Sequence, residues 1–393
     1  MAASSFAALE DERLPEPLFR LQHYSAHAPR LPLLRTVARA STSSLSAVKE
    51  RVPHAYVLVS GLGDTLGTLP YMARLAQALH QRREPWELLL PTLSSTAGGW
   101  GMASLEGDAR ELGELISFLR EEEAARYPGS TERPPRRVVI HGHSTGCQDL
   151  VQLLSEPRAA PHGVPISSLP ARPVEALRID AAVFQAPVSD CEDFAHRVKP
   201  EAACNSASKC AVEALELARS MVRQGRGHEL LPRSHVHVLV PEHGPPTKSE
   251  DSNAPPLPSD AIASGAVTAY RYHSLHEPGG DDDFFSSAAL LPDDTLRRTR
   301  LAKAILQAET NDTKLLFLFS AEDEYVPEEL RASEAAIHRN FLDRWSGLQS
   351  EVGKEQGIVQ SEVVPGADHA VHNDKAQHDL LCHITALLDR LEA

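Results

Sequence analysis

The chain has 393 residues, 42% of them apolar and 24% charged, with 54 acidic against 39 basic side chains and a formal net charge of −15. That length and composition mark a globular protein, either one large α/β domain with an insertion or two domains. The acidic balance argues against a nucleic-acid or anionic-membrane surface, each of which wants a basic patch, and no run of 18 apolar residues offers a transmembrane helix.

Residues 1–17 carry Glu10, Asp11 and Glu12 and no apolar stretch, which speaks against a secretory signal or an acidic-poor transit peptide. They read as a disordered leader, and the chain as a soluble cytoplasmic protein. Cysteines at 147, 191, 204, 210 and 382 form no C-x-x-C pair. A reduced intracellular protein is a simpler reading than a Cys204–Cys210 bridge.

Residues 18–40 are expected to hold a pair of edge strands, and the Ser/Thr-rich stretch from Ala40 to Ala47 a loop. From Pro53 strands and helices alternate: a strand at 56–59, a helix at 69–82 and a strand at 86–90. An amphipathic helix at 105–123 carries Leu112, Leu115, Ile116 and Leu119 on one face. After a polar link at 129–135 come a strand at 136–141, a helix at 147–154 and a strand at 179–185. This alternation predicts parallel pairing with right-handed crossovers, hence a doubly wound, mostly parallel sheet.

Between 190 and 312 the rhythm breaks. A helix near 206–224, a short strand at 235–240 and a Pro/Ser-rich loop at 241–260 are followed by Asp281-Asp282-Asp283-Phe284-Phe285. His235 and His237 belong to that strand rather than to a metal site. The apolar run Lys314–Ser320 and a strand at 359–364 resume the pattern ahead of a C-terminal helix. Residues 18–189 and 313–393 are therefore expected to form the core, and 190–312 an inserted cap.

Within this frame, Gly142-His143-Ser144-Thr145-Gly146 follows the strand at 136–141 directly. It has the G-x-S-x-G spacing of a nucleophile elbow, in which flanking glycines permit a turn too tight for side chains and the serine Oγ stands at its tip. Ser144 is the candidate nucleophile, and the Thr145 amide, opening a helix, a candidate oxyanion donor. The second donor is expected from the loop Ser60-Gly61-Leu62-Gly63-Asp64, through the amide of Leu62 or Gly63. Gly61, Gly63 and Gly67 do not have dinucleotide-binding spacing. A serine nucleophile needs a base and the base an orienting acid. Asp323 leaves the strand at 314–320, with Glu322 and Glu324 as competing carboxylates. His369 follows the strand at 359–364, with His372 as its rival, while His141 and His143 shape the turn or line the pocket.

These residues resemble an α/β-hydrolase family long catalogued as a domain of unknown function, which includes fungal siderophore esterases that open fusarinine-type hydroxamate esters. The strings that carry the resemblance are Gly142-His143-Ser144-Thr145-Gly146-Cys147-Gln148-Asp149, Gln185-Ala186-Pro187-Val188-Ser189-Asp190 and Gly280-Asp281-Asp282-Asp283-Phe284-Phe285-Ser286-Ser287. Asp323-Glu324-Tyr325-Val326-Pro327, Gly366-Ala367-Asp368-His369 and Gly99-Trp100-Gly101, with Ser104-Leu105-Glu106 and Asp108, extend it from about residue 18 to the end of the chain. Two features depart from the family: residues 241–260 look expanded, and the first glycine loop reads Ser-Gly-Leu-Gly-Asp where Gly-Gly-Leu-Thr-Asp is expected.

The resemblance implies an α/β-hydrolase fold with a cap, and a serine hydrolase of esterase type acting on a small-molecule ester, a siderophore or hydroxamate ester among the candidates. Ser144, Asp323 and His369 would be its triad, with Leu62 and Thr145 holding the oxyanion. Gly63, Trp100, His143, Asp282 and Phe284 are candidate substrate contacts. No organic cofactor or metal, nucleic acid or membrane is expected to take part. An acyltransferase would use the same triad, and a non-catalytic binding protein could keep the fold.

Overall fold

The computed structural model describes residues 18–25, 30–37, 52–128, 135–155, 178–198, 206–232, 266–286, 300–326 and 358–393. Its centre is a sheet of strands β1 Leu18–His23, β2 Pro32–Val37, β3 His54–Val59, β4 Trp86–Pro91, β5 Val138–His143, β6 Ala181–Gln185, β7 Lys314–Ser320 and β8 Val359–Val364. The order across the sheet is β1-β2-β4-β3-β5-β6-β7-β8. β2 runs antiparallel to β1 and β4, and the remaining pairs are parallel. One reversed strand in an otherwise parallel sheet of this order is the α/β-hydrolase fold. The expected leader (residues 1–17), the strand at 235–240 and the loop at 241–260 lie outside the described residues.

The helices are α1 Met72–His80, α2 Leu105–Arg126, α3 Gly146–Ser155, α4 Asp190–Arg197, α5 Ser206–Arg223, α6 Ala269–His276, α7 Arg300–Thr310 and α8 Asp374–Glu392. Both faces of the sheet are covered, so its central strands are apolar on both sides. Ala55, Val57 and Val59 of β3 join Val138 and Ile140 of β5 in a core under α2, α3 and α7. Their neighbours Tyr56, Leu58 and Val139 point the other way, into a core under α1 and α8. Each Leu or Val so buried stabilises the fold by about 1.5–3 kcal/mol. Among the described residues no helix is long and apolar enough to cross a membrane.

Strand β5 lies two residues later than the expected 136–141. His141, Gly142 and His143 still pair with Val183, Phe184 and Gln185 of β6, which carries the ladder into the elbow. At the other end Arg136 leaves the ladder for a buried ionic quartet. Its guanidinium bonds Glu87 of β4 and, at 2.9 Å, Glu122 of α2, and Arg35 of β2 reaches the same two carboxylates. Helices α4, α6 and α7 were not foreseen. α4 and α6 begin at N-caps, where Ser189 accepts from the Glu192 amide at 3.3 Å and Thr268 from the Arg271 amide at 3.2 Å. α7 falls inside the expected insertion, yet Leu301, Ala304, Ile305 and Ala308 pack in the main core.

The topology also places the site. β3 is followed by β4 on one side and β5 on the other, so the winding reverses between β3 and β5. A crevice opens at the carboxyl ends of strands where winding reverses. The loops after β3 and β5 therefore lie side by side, and these carry Gly61 and Ser144.

Candidate active site

The elbow is built from steric necessity. Ser144 has φ +54°, in the left-handed region that non-glycine residues avoid. Its amide donates to the Gln185 carbonyl at 3.0 Å, and its carbonyl accepts from Cys147 at 2.9 Å as α3 starts. A methyl group at Gly142 would collide with the Gly146 carbonyl, and one at Gly146 would sit 2.7 Å from the Val59 oxygen. Side chains are thus excluded on both flanks of the serine. Thr145 directly precedes α3, at the helix end whose amides have no partner within the helix.

The chain brings His369 and Asp323 together from separate loops. The Glu322 amide donates to the Ala367 carbonyl at 2.8 Å, which ties the loop after β7 to the loop after β8. His369 Nδ1 then lies 3.0 and 2.9 Å from the two carboxylate oxygens of Asp323. Burial works against the charged ring, but the Asp323 carboxylate and its hydrogen bond outweigh it and hold His369 above the ordinary histidine range. Of the competing carboxylates, Glu324 accepts the His369 amide at 2.9 Å, and Glu322 is exposed. His372 is exposed and pairs with Asp368 at 2.8 Å.

Gln185 holds this arrangement from behind. Its amide nitrogen donates to the His369 carbonyl at 3.2 Å, and its side-chain oxygen meets His143 Nδ1 and the Tyr71 hydroxyl. The His143 ring lies 4.9 Å from that of His369, and its Nε2 lies 3.9 Å from Asp64. Burial, with the neighbouring His369 adding to it, keeps His143 neutral. Tyr325 covers another side of His369 at 4.6 Å between ring centroids. His141 is a core residue: it meets the Tyr56 hydroxyl at 2.9 Å, and burial drives its pKa down to about 3.

The loop after β3 closes against the serine. Its own Asp64 carboxylate accepts the Gly61 amide at 3.0 Å, and a Cβ on Gly61 would lie 2.7 Å from that of Ser144. Gly61, Leu62, Thr145 and Trp100 line one cleft, together with Asp108, Asp149 and Arg271. Gly63 is exposed at the loop's tip. Asp282 is 2% exposed and bonded to Arg271 and Ser274. Phe284 sits in the main core with Arg300 over its ring at 5.0 Å. Both side chains are thus held within the protein, Phe284 by packing and Asp282 by hydrogen bonds that include Arg271 of the cleft lining.

Three acids near this cleft depart far from ordinary behaviour. Burial, opposed by Arg271 and aided by Glu111 and Asp282, pushes Asp108 up to about 7. Burial and the Asp108 charge push Asp149 well above the usual range. Asp190, bonded to Gln148 at 3.1 Å, is raised by burial to about 7. No role follows from the sequence for Gln185, Asp64, Asp108, Asp149 or Arg271. Four of the five stand in the motifs and loops named above, and nothing in their spacing says that they converge.

A family model described as a protein of unknown function (DUF1749) matches residues 33–389. The Fusarinine C esterase sidJ of Aspergillus fumigatus is 29% identical over 347 residues, covering 85% of this chain and 87% of that protein. Esterase AN6793 of Emericella nidulans is 28% identical over 347 residues, covering 83% and 82%. The solved structure of siderophore hydrolase EstB from Aspergillus fumigatus aligns with a TM-score of 0.65 at 25% identity, covering 96% of this chain and 99% of that one.

Proposed function

The chain belongs to the DUF1749 family, and from that premise we propose that it is a carboxylic ester hydrolase working through an acyl-enzyme on Ser144. Two fungal relatives named as esterases, each matched over more than four-fifths of both chains, support the reaction class. The observation that carries the mechanism is His369 Nδ1 set against both oxygens of Asp323, at the same strand ends as a serine strained to φ +54°.

In this reading the Ser144 hydroxyl attacks the ester carbonyl and His369 Nε2 takes its proton. Asp323 keeps the ring in the tautomer that presents Nε2 and stabilises the imidazolium as it forms. The amides of Thr145 and Leu62 receive the oxyanion, and such a donor lowers the barrier by about 3 kcal/mol. The tetrahedral intermediate collapses, His369 protonates the departing alcohol, and the acyl group remains on Ser144. Water, deprotonated by His369, then attacks the acyl carbon; the bond to Ser144 Oγ breaks, His369 returns the proton to that oxygen, and the acid leaves. Residues of α5 and α6 pack with Trp100 in a small separate core, against which Leu62 rests. We assign this part as the cap, which shapes the pocket and limits water. The names of two relatives, a fusarinine C esterase and a siderophore hydrolase, favour a siderophore-type ester.

The test is labelling of purified protein with a fluorophosphonate, read by intact mass beside Ser144→Ala. One adduct on the wild type and none on the variant is expected. No adduct on folded wild type, or equal labelling of the variant, removes Ser144 as the nucleophile.

A further inference from the structure

His369 is gripped by more than its acid partner. Glu322, Asp323 and Glu324 are consecutive, and each makes a contact with the loop after β8. The Glu322 amide reaches the Ala367 carbonyl at 2.8 Å. The Asp323 carboxylate meets the His369 ring. The half-buried Glu324 carboxylate accepts the His369 main-chain amide at 2.9 Å, across 45 positions of sequence. Gln185 donates to the His369 carbonyl at 3.2 Å. The main chain of His369 is therefore fixed by side chains at both its N–H and its C=O. Only the side-chain torsions are left to it, and the Asp323 contact sets those.

A neutral carbonyl oxygen would satisfy the same amide, so the charge of Glu324 is what needs a reason. A hydrogen bond to an ionised acceptor is shorter and stronger than a neutral one. A fixed negative charge beside a ring that becomes positive in the transition state also stabilises it there without reorganisation. The groups facing His369 come from several parts of the fold. The loop after β7 presents Asp323, Glu324 and Tyr325, β5 presents the neutral His143, and the loop after β3 presents Asp64. Asp190 of α4 also acts on it, and burial raises that carboxyl to about 7. Burial of His369 disfavours its charge; Asp323 opposes this most, then Glu324, then Asp64. Asp64 is committed to the Gly61 amide. Among the described residues Glu324 is the carboxylate besides Asp323 that is hydrogen-bonded to His369.

We propose that Glu324 is a positioning residue for the base: its carboxylate anchors the His369 main chain so that the ring meets Asp323, and its charge stabilises the imidazolium formed when His369 takes the Ser144 proton. This rests on Ser144 being the nucleophile and His369 its base. Loss of the charge makes the imidazolium harder to form, so the neutral base persists to lower pH and is a weaker base once there.

Glu324→Gln separates the two tasks, because the glutamine oxygen still accepts the His369 amide while the charge is gone. Glu324→Ala removes both. Each variant and the wild type are followed against pH in two ways. One is the rate at which a fluorophosphonate labels Ser144. The other is the ring titration of His369 by proton–nitrogen correlation NMR, its signal assigned by its loss in His369→Gln. In Glu324→Gln the acid limb of labelling and the ring titration should move down together by roughly half a pH unit or more, and the labelling rate on the plateau should fall roughly threefold or more. Glu324→Ala should show the same downward shift with a larger loss of rate, since the His369 amide then lacks its acceptor. If the wild type is labelled but the limb or the titration stays in place in Glu324→Gln, Glu324 is a neutral structural contact and the proposal is overturned, whatever the alanine variant loses. A shifted titration in a protein whose wild type takes no label upholds the Glu324 charge on His369 and removes the esterase reading.

Discussion

His369 carries two opposing effects on one ring. Burial disfavours the imidazolium, and the adjoining Asp323 carboxylate favours it and wins, so the group titrates above its ordinary value of 6.5. A general base acts only when neutral. Activity is therefore expected to fall as pH drops through a value above 6.5, and the acid limb of the kcat/KM profile reads that value. Asp323→Asn should shift the limb downward and lower kcat by about 10³–10⁴-fold. A wild-type limb at or below the ordinary value would take Asp323 out of this role. Gln185 shows what residue identity conceals. It stands in a string that marks the family, but its task of holding the His369 carbonyl and the His143 ring together appears only when β6 lies beside β5.

At the scale of elements, the central strands were legible as continuous apolar runs, because that pattern follows directly from burial on two faces. The short helices were not. α4 and α6 span 8 residues each, too few for periodicity to rise above noise, and their caps at Ser189 and Thr268 were the available signal. The shift of β5 has an electrostatic cause. Arg136 resembles a strand residue in sequence and is instead drawn to Glu87 and Glu122. Glu87→Ala would leave Arg35 and Arg136 buried with one of their two carboxylate partners each, and is expected to destabilise the fold by about 3–5 kcal/mol. Urea unfolding followed by circular dichroism checks this. A loss below about 1 kcal/mol would mean that Glu122 and water hold both arginines adequately.

Across the molecule, apolar residues divide into the two cores that flank the sheet and a smaller cluster formed by Trp100, Phe194, α5 and α6. The smaller cluster shares the cleft wall through Trp100 and Leu62 but no strand. If it is an energetic unit of its own, Tyr272→Ala should speed amide hydrogen exchange across 206–232 and 266–276 while β3 to β7 stay protected. Uniform acceleration over the sheet would make it part of one cooperative core. The amino-acid sequence by itself determined the succession of strands and helices and the need for glycine on both sides of Ser144, because alternation and steric exclusion act between near neighbours. Only the tertiary structure decided that His369 rather than His372 meets Asp323, 46 positions away. It alone brought Gln185 to His369 across 184 positions and gathered Asp108, Asp149 and Arg271 around one cleft. Such contacts depend on strand order and on loops meeting at one end of the sheet, and spacing along the chain carries no measure of either.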